Sequence, residues 1–124
     1  MRITKGHLRF SRKEVWNLSE HLAKCIHDGL LQFKNSDRLG FPADISSKTW
    51  EEYLDKMIFS FKEISTFYRN DPIELYFNKV WNTGERDLKK FKAPDEVCEE
   101  SKKYYKDIKE GIKLFSKYYT DLWD

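Results

Sequence analysis

The chain has 124 residues, of which 40% are hydrophobic, 35% charged and 16% aromatic, with a formal net charge of +2. That length suits one domain, and the aromatic content excludes a disordered chain. No run of 18 apolar residues occurs, so a membrane-spanning helix is excluded, and five Gly with three Pro exclude collagen-like and low-complexity classes.

The first ten residues alternate briefly (Ile3, Leu8, Phe10), which predicts a strand or extended arm; a lone strand would need a partner. Ser11 and Glu14 fit a capping box that opens a helix. Val15, Leu18, Leu22, Ile26, Leu30 and Phe33 then recur at steps of three and four, so one helical face runs over 12–34, with Asn17 and Ser19 marking an internal restart. Residues 35–48 form a loop punctuated by Gly40 and Pro42, which Phe41 and Ile45 would pin to the core. A second box, Thr49 with Glu52, opens a helix to about residue 68 on the seam Trp50, Leu54, Met57, Phe61, Ile64 and Tyr68. Asp71 caps a third helix over 72–82, with Pro72 in its first turn. Residues 85–93 are strongly charged and read as a solvated tail. A last helix over 94–122 would bury Val97, Ser101, Tyr104, Ile108, Ile112, Phe115, Tyr119 and Leu122. The expected fold is all-α: an irregular bundle of about four helices with a long C-terminal helix and a short N-terminal arm, in a single domain over 1–124. The last helix is long enough to span the bundle or to pair with a second copy, so a homo-oligomer is an expectation.

Charge is uneven along the chain. Residues 1–34 hold seven basic and three acidic side chains, with the excess in Arg2, Lys5, Arg9, Arg12 and Lys13. The two cysteines, Cys25 and Cys98, lack the spacings of a disulfide framework, and the first residues lack an apolar leader segment. Free thiols in a cytoplasmic setting follow as an expectation.

Few residue patterns carry chemistry. His21, Cys25 and Asp28 have metal-ligand spacing on one helix, but three ligands from one helix without a fourth donor motif make a poor zinc site, so no metal is expected. The pattern treats Cys25 as a small buried residue. Neither cysteine has the setting of a nucleophile, and the five glycines are isolated, so no phosphate loop and no enzyme or cofactor is expected. Lys13, Trp16, Glu20, Lys24 and His27 follow one another at helical steps off the core seam. A Trp among cations and a His suits a flat anionic ligand, by stacking plus charge; the plainer alternative has Trp16 packed on a neighbouring helix. With Arg12 and His21 at its edges, the candidate ligand-binding set is Arg12, Lys13, Trp16, His21, Lys24 and His27. Lys102, Lys106, Lys109, Lys113 and Lys117 form a stripe on the last helix, most simply a solvated border. Base-reading Asn or Gln beside exposed Arg is missing, so sequence-specific DNA binding is not expected.

Four blocks, VWNLSEHLAKCIHDGLLQF (15–33), GFP (40–42), TWEEYLDKMIFSF (49–61) and GIKLFSKYYTDLWD (111–124), resemble a family of small uncharacterised proteins of tailed bacteriophages. The resemblance covers roughly half the chain and implies no catalytic residues. It implies a phage accessory protein acting in the cytoplasm of an infected bacterium. Two roles follow from that setting: a non-enzymatic binder that sequesters a nucleotide-derived immune signal, and a protein–protein inhibitor of a host defence complex, anti-CRISPR-like in action.

Overall fold

A computed structural model describes residues 2–36, 40–84, 86 and 92–122. Its elements are β1 (Arg2–Thr4), β2 (His7–Arg9), α1 (Arg12–Trp16), α2 (Leu18–Lys34), α3 (Ser47–Ser65), α4 (Pro72–Asn82) and α5 (Asp95–Tyr118), and a 3-10 turn over Tyr119–Asp121 follows α5. The chain is a mostly helical bundle with a long C-terminal helix, as its periodicity predicts. No helix among the described residues is long and apolar enough to cross a membrane.

α3 is the centre of the bundle. It packs on α2 at one side and α5 at the other, while α4 packs on α5. Trp50, Leu54 and Met57 are at most 1% exposed, and Ala23, Leu30, Phe61 and Tyr118 join them in one core. Aromatic edges fill the α3–α5 seam: Trp50 and Phe61 meet Tyr118 and Phe115 in T-shaped pairs at 5.6 and 4.9 Å. α3 and α5 approach closely at Gly111, which faces Ser60; the Ser60 hydroxyl donates to the carbonyls of Ile108 (2.8 Å) and Lys56 (3.1 Å).

Helix ends follow local chemistry. The Ser11–Glu14 box is present, Glu14 Oε1 accepting from Ser11 N–H at 2.8 Å and Ser11 Oγ from Glu14 N–H at 3.1 Å. α3 starts earlier than its Thr49 pattern predicts, because Ser46 is the cap and accepts from Thr49 N–H. α3 also stops at Ser65 rather than near 68. Phe67 and Tyr68 take left-handed φ values of 55° and 57°. Tyr68 N–H reaches the Glu63 carbonyl at 2.8 Å and Phe67 N–H that of Ile64 at 3.1 Å, the paired bonds of a Schellman stop with Phe where glycine is the usual residue. Asp71 caps α4, its Oδ1 accepting from Ile73 N–H at 3.0 Å.

Several seam residues sit elsewhere than expected. Val15, Leu18 and Leu22 are 57%, 39% and 41% exposed, because α1 and the first turns of α2 run past the end of the core; only the Ala23–Phe33 part of that face is covered. After Ile108 the covered face of α5 is Gly111, the half-buried Phe115 and Tyr118, so Ile112 on α5 and Tyr119 in the turn that follows are exposed. The 3.6-residue period rotates the seam by one position over that length. Phe41 is half exposed, whereas Ile45 packs on the core as expected and Pro42, next to Phe41 in the chain, is buried. The extended arm finds its partner within itself: β1 and β2 pair antiparallel across the two-residue turn Lys5–Gly6, both with positive φ (53° and 77°). This hairpin packs against no other described element. Of the charged 85–93 segment, residues 85 and 87–91 lie outside the described residues.

Candidate functional site

A groove that gathers three of the six predicted site residues lies between α1, the first half of α2 and the end of α3. It encloses about 220 Å³ and is lined by Lys13, Glu14, Asn17, Glu20, His21, Lys24 and Ser65. Two local features build it. The chain breaks at Asn17 (φ −111°, ψ 44°), which turns α1 against α2 and sets Lys13 and Glu14 beside the α2 face. That face presents Asn17, Glu20, His21 and Lys24 at steps of three and four.

Inside the groove His21 is the best-held side chain. Its Nε2 lies 3.0 Å from Glu14 Oε2, and Phe10 meets the ring edge-on at 5.9 Å. Glu14 thus serves both the cap and His21. Lys13 and Lys24 have no carboxylate within ion-pair distance among the described residues, so their ammonium groups are free to meet an anion. Asn17 and Glu20 add an amide and a carboxylate that suit hydroxyl or amino groups.

Of the six candidates, Lys13, His21 and Lys24 come together here. Arg12, Trp16 and His27 do not line the groove. His27 lies further along α2, its Nδ1 at 3.0 Å from Asp28 Oδ1. Trp16 is 85% exposed, which overturns the packed alternative: α1 ends at Trp16 and, among the described residues, α1 packs only on α2. Ser65 is the lining residue that the sequence pattern missed, since nothing local ties the end of α3 to the start of α2. Asn17 and Glu20 were visible as a helix restart and as part of the α2 face.

The His21, Cys25 and Asp28 spacing does not converge. Cys25 Sγ is 4.0 Å from His21 Nε2, while Asp28 pairs with His27. No group of three His, Cys, Asp or Glu among the described residues is placed to hold a metal ion. Cys25 is exposed rather than buried, and Cys98 is half-buried; both are free thiols.

A second polar cluster joins α4 to α5. Ser101 Oγ donates to Asp71 Oδ1 at 2.7 Å and Tyr105 OH to Asp71 Oδ2 at 2.8 Å. Burial pulls the Asp71 carboxyl upward, but the Ser101, Ile73 and Tyr105 donors outweigh it and hold it below the ordinary value of 3.8. Burial and the bond to Asp71 push the Tyr105 phenol up to about 12. Burial, then the Glu63 carboxylate, push Tyr104 upward as well. Glu63 itself is 5% exposed and accepts twice from the Asn70 amide at 3.1 Å. The bonds among Asp71, Ser101 and Tyr105 tie the start of α4 to α5, and the Glu63–Asn70 bonds close the α3–α4 corner, which is a structural role.

On α5 the lysine stripe is exposed. Lys102 and Lys103 pair with Glu99 and Asp107, each at 3.2 Å. Lys106, Lys109, Lys113 and Lys117 have no carboxylate partner among the described residues. No family model, no curated protein and no solved structure matches this chain.

Proposed function

We propose that this protein is a non-enzymatic binder of a nucleotide-derived anion, held in the α1–α2–α3 groove and thereby withdrawn from the host's defence signalling. The observation that supports the reading is the convergence of Lys13 and Lys24, neither of them ion-paired among the described residues, with Asn17, Glu20 and a fixed His21. The two ammonium groups would neutralise a phosphate, and Asn17 and Glu20 would meet hydroxyl or exocyclic amino groups. The setting rests on the resemblance of residues 15–33, 40–42, 49–61 and 111–124 to tailed-phage proteins. The test is a thermal-shift series with cyclic dinucleotides, linear oligonucleotide signals and mononucleotides. A ligand at 100 times its Kd adds about 2.7 kcal/mol of stability. No shift with any nucleotide would refute the reading.

A second reading is favoured by the α5 stripe. Lys106, Lys109, Lys113 and Lys117 line up beside Ile112, which is 39% exposed. Such a face suits an acidic surface on a host defence protein, and the chain would then act as a protein–protein inhibitor.

A further inference from the structure

We propose that the N-terminal hairpin and α1 form a single-stranded nucleic-acid clamp, in which the Arg2–Arg9 face grips the phosphate backbone and Trp16 stacks on an unpaired base. Arg2, Arg9 and Trp16 are not among the residues that line the α1–α2–α3 groove.

The argument starts from strand register. Arg2 pairs with Arg9 and Ile3 with Leu8. Side chains alternate across a strand, so Arg2 and Arg9 share one face and Ile3 and Leu8 the other. Two guanidinium groups directly opposite each other repel and destabilise the pair. The hairpin is also short, with three residues per strand, and packs against no other element among the described residues. A two-stranded hairpin of this kind is marginal alone in water. An anion between the two guanidinium groups reverses the sign of the repulsion, and planar guanidinium forks match phosphate oxygens two at a time.

The surroundings carry the same charge. Lys5 sits at the hairpin tip, and Arg12 and Lys13 follow in α1, so residues 2–13 hold five cations and no carboxylate. Three of the chain's six arginines fall within residues 2–12. None of Arg2, Lys5, Arg9 and Arg12 has an ion-pair partner among the described residues. A second copy of the chain is therefore a poor occupant, because it would bring the same charges to the interface. Trp16, 85% exposed, ends α1 about one turn after Arg12 and Lys13. An indole open to solvent next to a row of cations is the pairing that single-stranded nucleic acids use, since every base offers a flat face whatever its sequence. The absence of a base-reading pattern fits binding without sequence preference.

The experiment is fluorescence anisotropy with labelled 12-mers of oligo(U) and oligo(dT), a matching DNA duplex, and vesicles of phosphatidylglycerol and phosphatidylcholine. The full chain should bind the single strands, with log K falling against log salt at a slope of about −3 for four contacts. The double variant Arg2→Glu/Arg9→Glu should weaken binding at least tenfold and flatten the slope by about 1.4. Trp16→Ala should weaken it at least about fivefold while leaving the slope alone. Both variants lie outside the core, and an unchanged melting temperature confirms that the bundle stands. Preference for oligo(U) or oligo(dT) assigns the strand as RNA or DNA. The proposal is overturned by no binding to either single strand at 50 mM salt, by binding that the arginine variant leaves intact, by duplex binding as tight as single-strand binding with Trp16→Ala silent, or by binding to the vesicles alone. Because Arg2 and Arg9 do not line the groove, a nucleotide-induced thermal shift that survives Arg2→Glu/Arg9→Glu separates this proposal from the sequestration reading.

Discussion

Gly111→Ala tests the packing that holds the bundle together. In an isolated helix the change would be favourable by about 1 kcal/mol, because alanine restricts the unfolded backbone. Here α3 and α5 touch at this position. A Cβ on residue 111 would stand 2.7 Å from Ser60 Cβ and closer still to Ser60 Oγ and the Lys56 carbonyl. The hydroxyl can rotate, but it then loses its bonds to the Ile108 and Lys56 carbonyls, a loss of about 0.5–1.5 kcal/mol. The Lys56 carbonyl is backbone and cannot rotate, so the helices must separate, at about 1–3 kcal/mol for overpacking. Set against the propensity gain, the net cost is about 1–3 kcal/mol. Urea unfolding should show a lower midpoint with an unchanged m-value. Adding Ser60→Ala should recover part of the loss, since it removes the hydroxyl while the Lys56 carbonyl remains. A Gly111→Ala protein as stable as the parent would refute the close approach of α3 and α5.

Three other outcomes follow. Phe67→Gly should stabilise the protein by about 0.5–1 kcal/mol in the same assay, because Phe67 is 64% exposed and holds a left-handed φ that favours glycine. Asp71→Asn should cost about 1–2 kcal/mol at neutral pH, through the α4 cap and the Ser101 and Tyr105 donors. The Asp71 carboxyl sits below its unfolded value of 3.8, so this contribution is full above that value and is lost as pH falls through the folded pKa; the gap between parent and variant should close in acid. Leu54→Ala, at a fully buried site, should cost about 2–5 kcal/mol, whereas Val15→Ala, on the exposed end of its helical face, should cost under about 0.5 kcal/mol.

Much of the fold was legible because its signals are local. The Ser11–Glu14 box, the Asp71–Pro72 start and the apolar steps of α3 each depend on residues within a turn of one another. What the sequence hid depends on tertiary geometry. Val15, Leu18 and Leu22 have core periodicity, yet the core ends before it reaches them. The α5 seam drifts because a 3.6-residue period departs from the heptad spacing over that length. The hairpin was half visible, since Lys5–Gly6 is a weaker turn signal than Asn-Gly or Asp-Gly. In the candidate groove, Lys13 and Lys24 were readable as one helical stripe across the α1–α2 break, whereas Ser65 arrives from a distant helix. Trp16 was readable as a platform or as a packed residue, and only its neighbours in space decide that it is exposed.

The groove reading meets its most direct test in a paired charge reversal. Lys24 lines the groove, and Lys109 lies on the exposed α5 stripe. Calorimetric titration of Lys24→Glu and Lys109→Glu should be run with the nucleotide that gives the largest thermal shift, at one salt concentration near 0.1 M, where charge effects are screened over about 10 Å. The account predicts at least tenfold weaker binding for Lys24→Glu and a change under about twofold for Lys109→Glu. Unchanged affinity in Lys24→Glu with loss in Lys109→Glu would contradict it and move the site to α5.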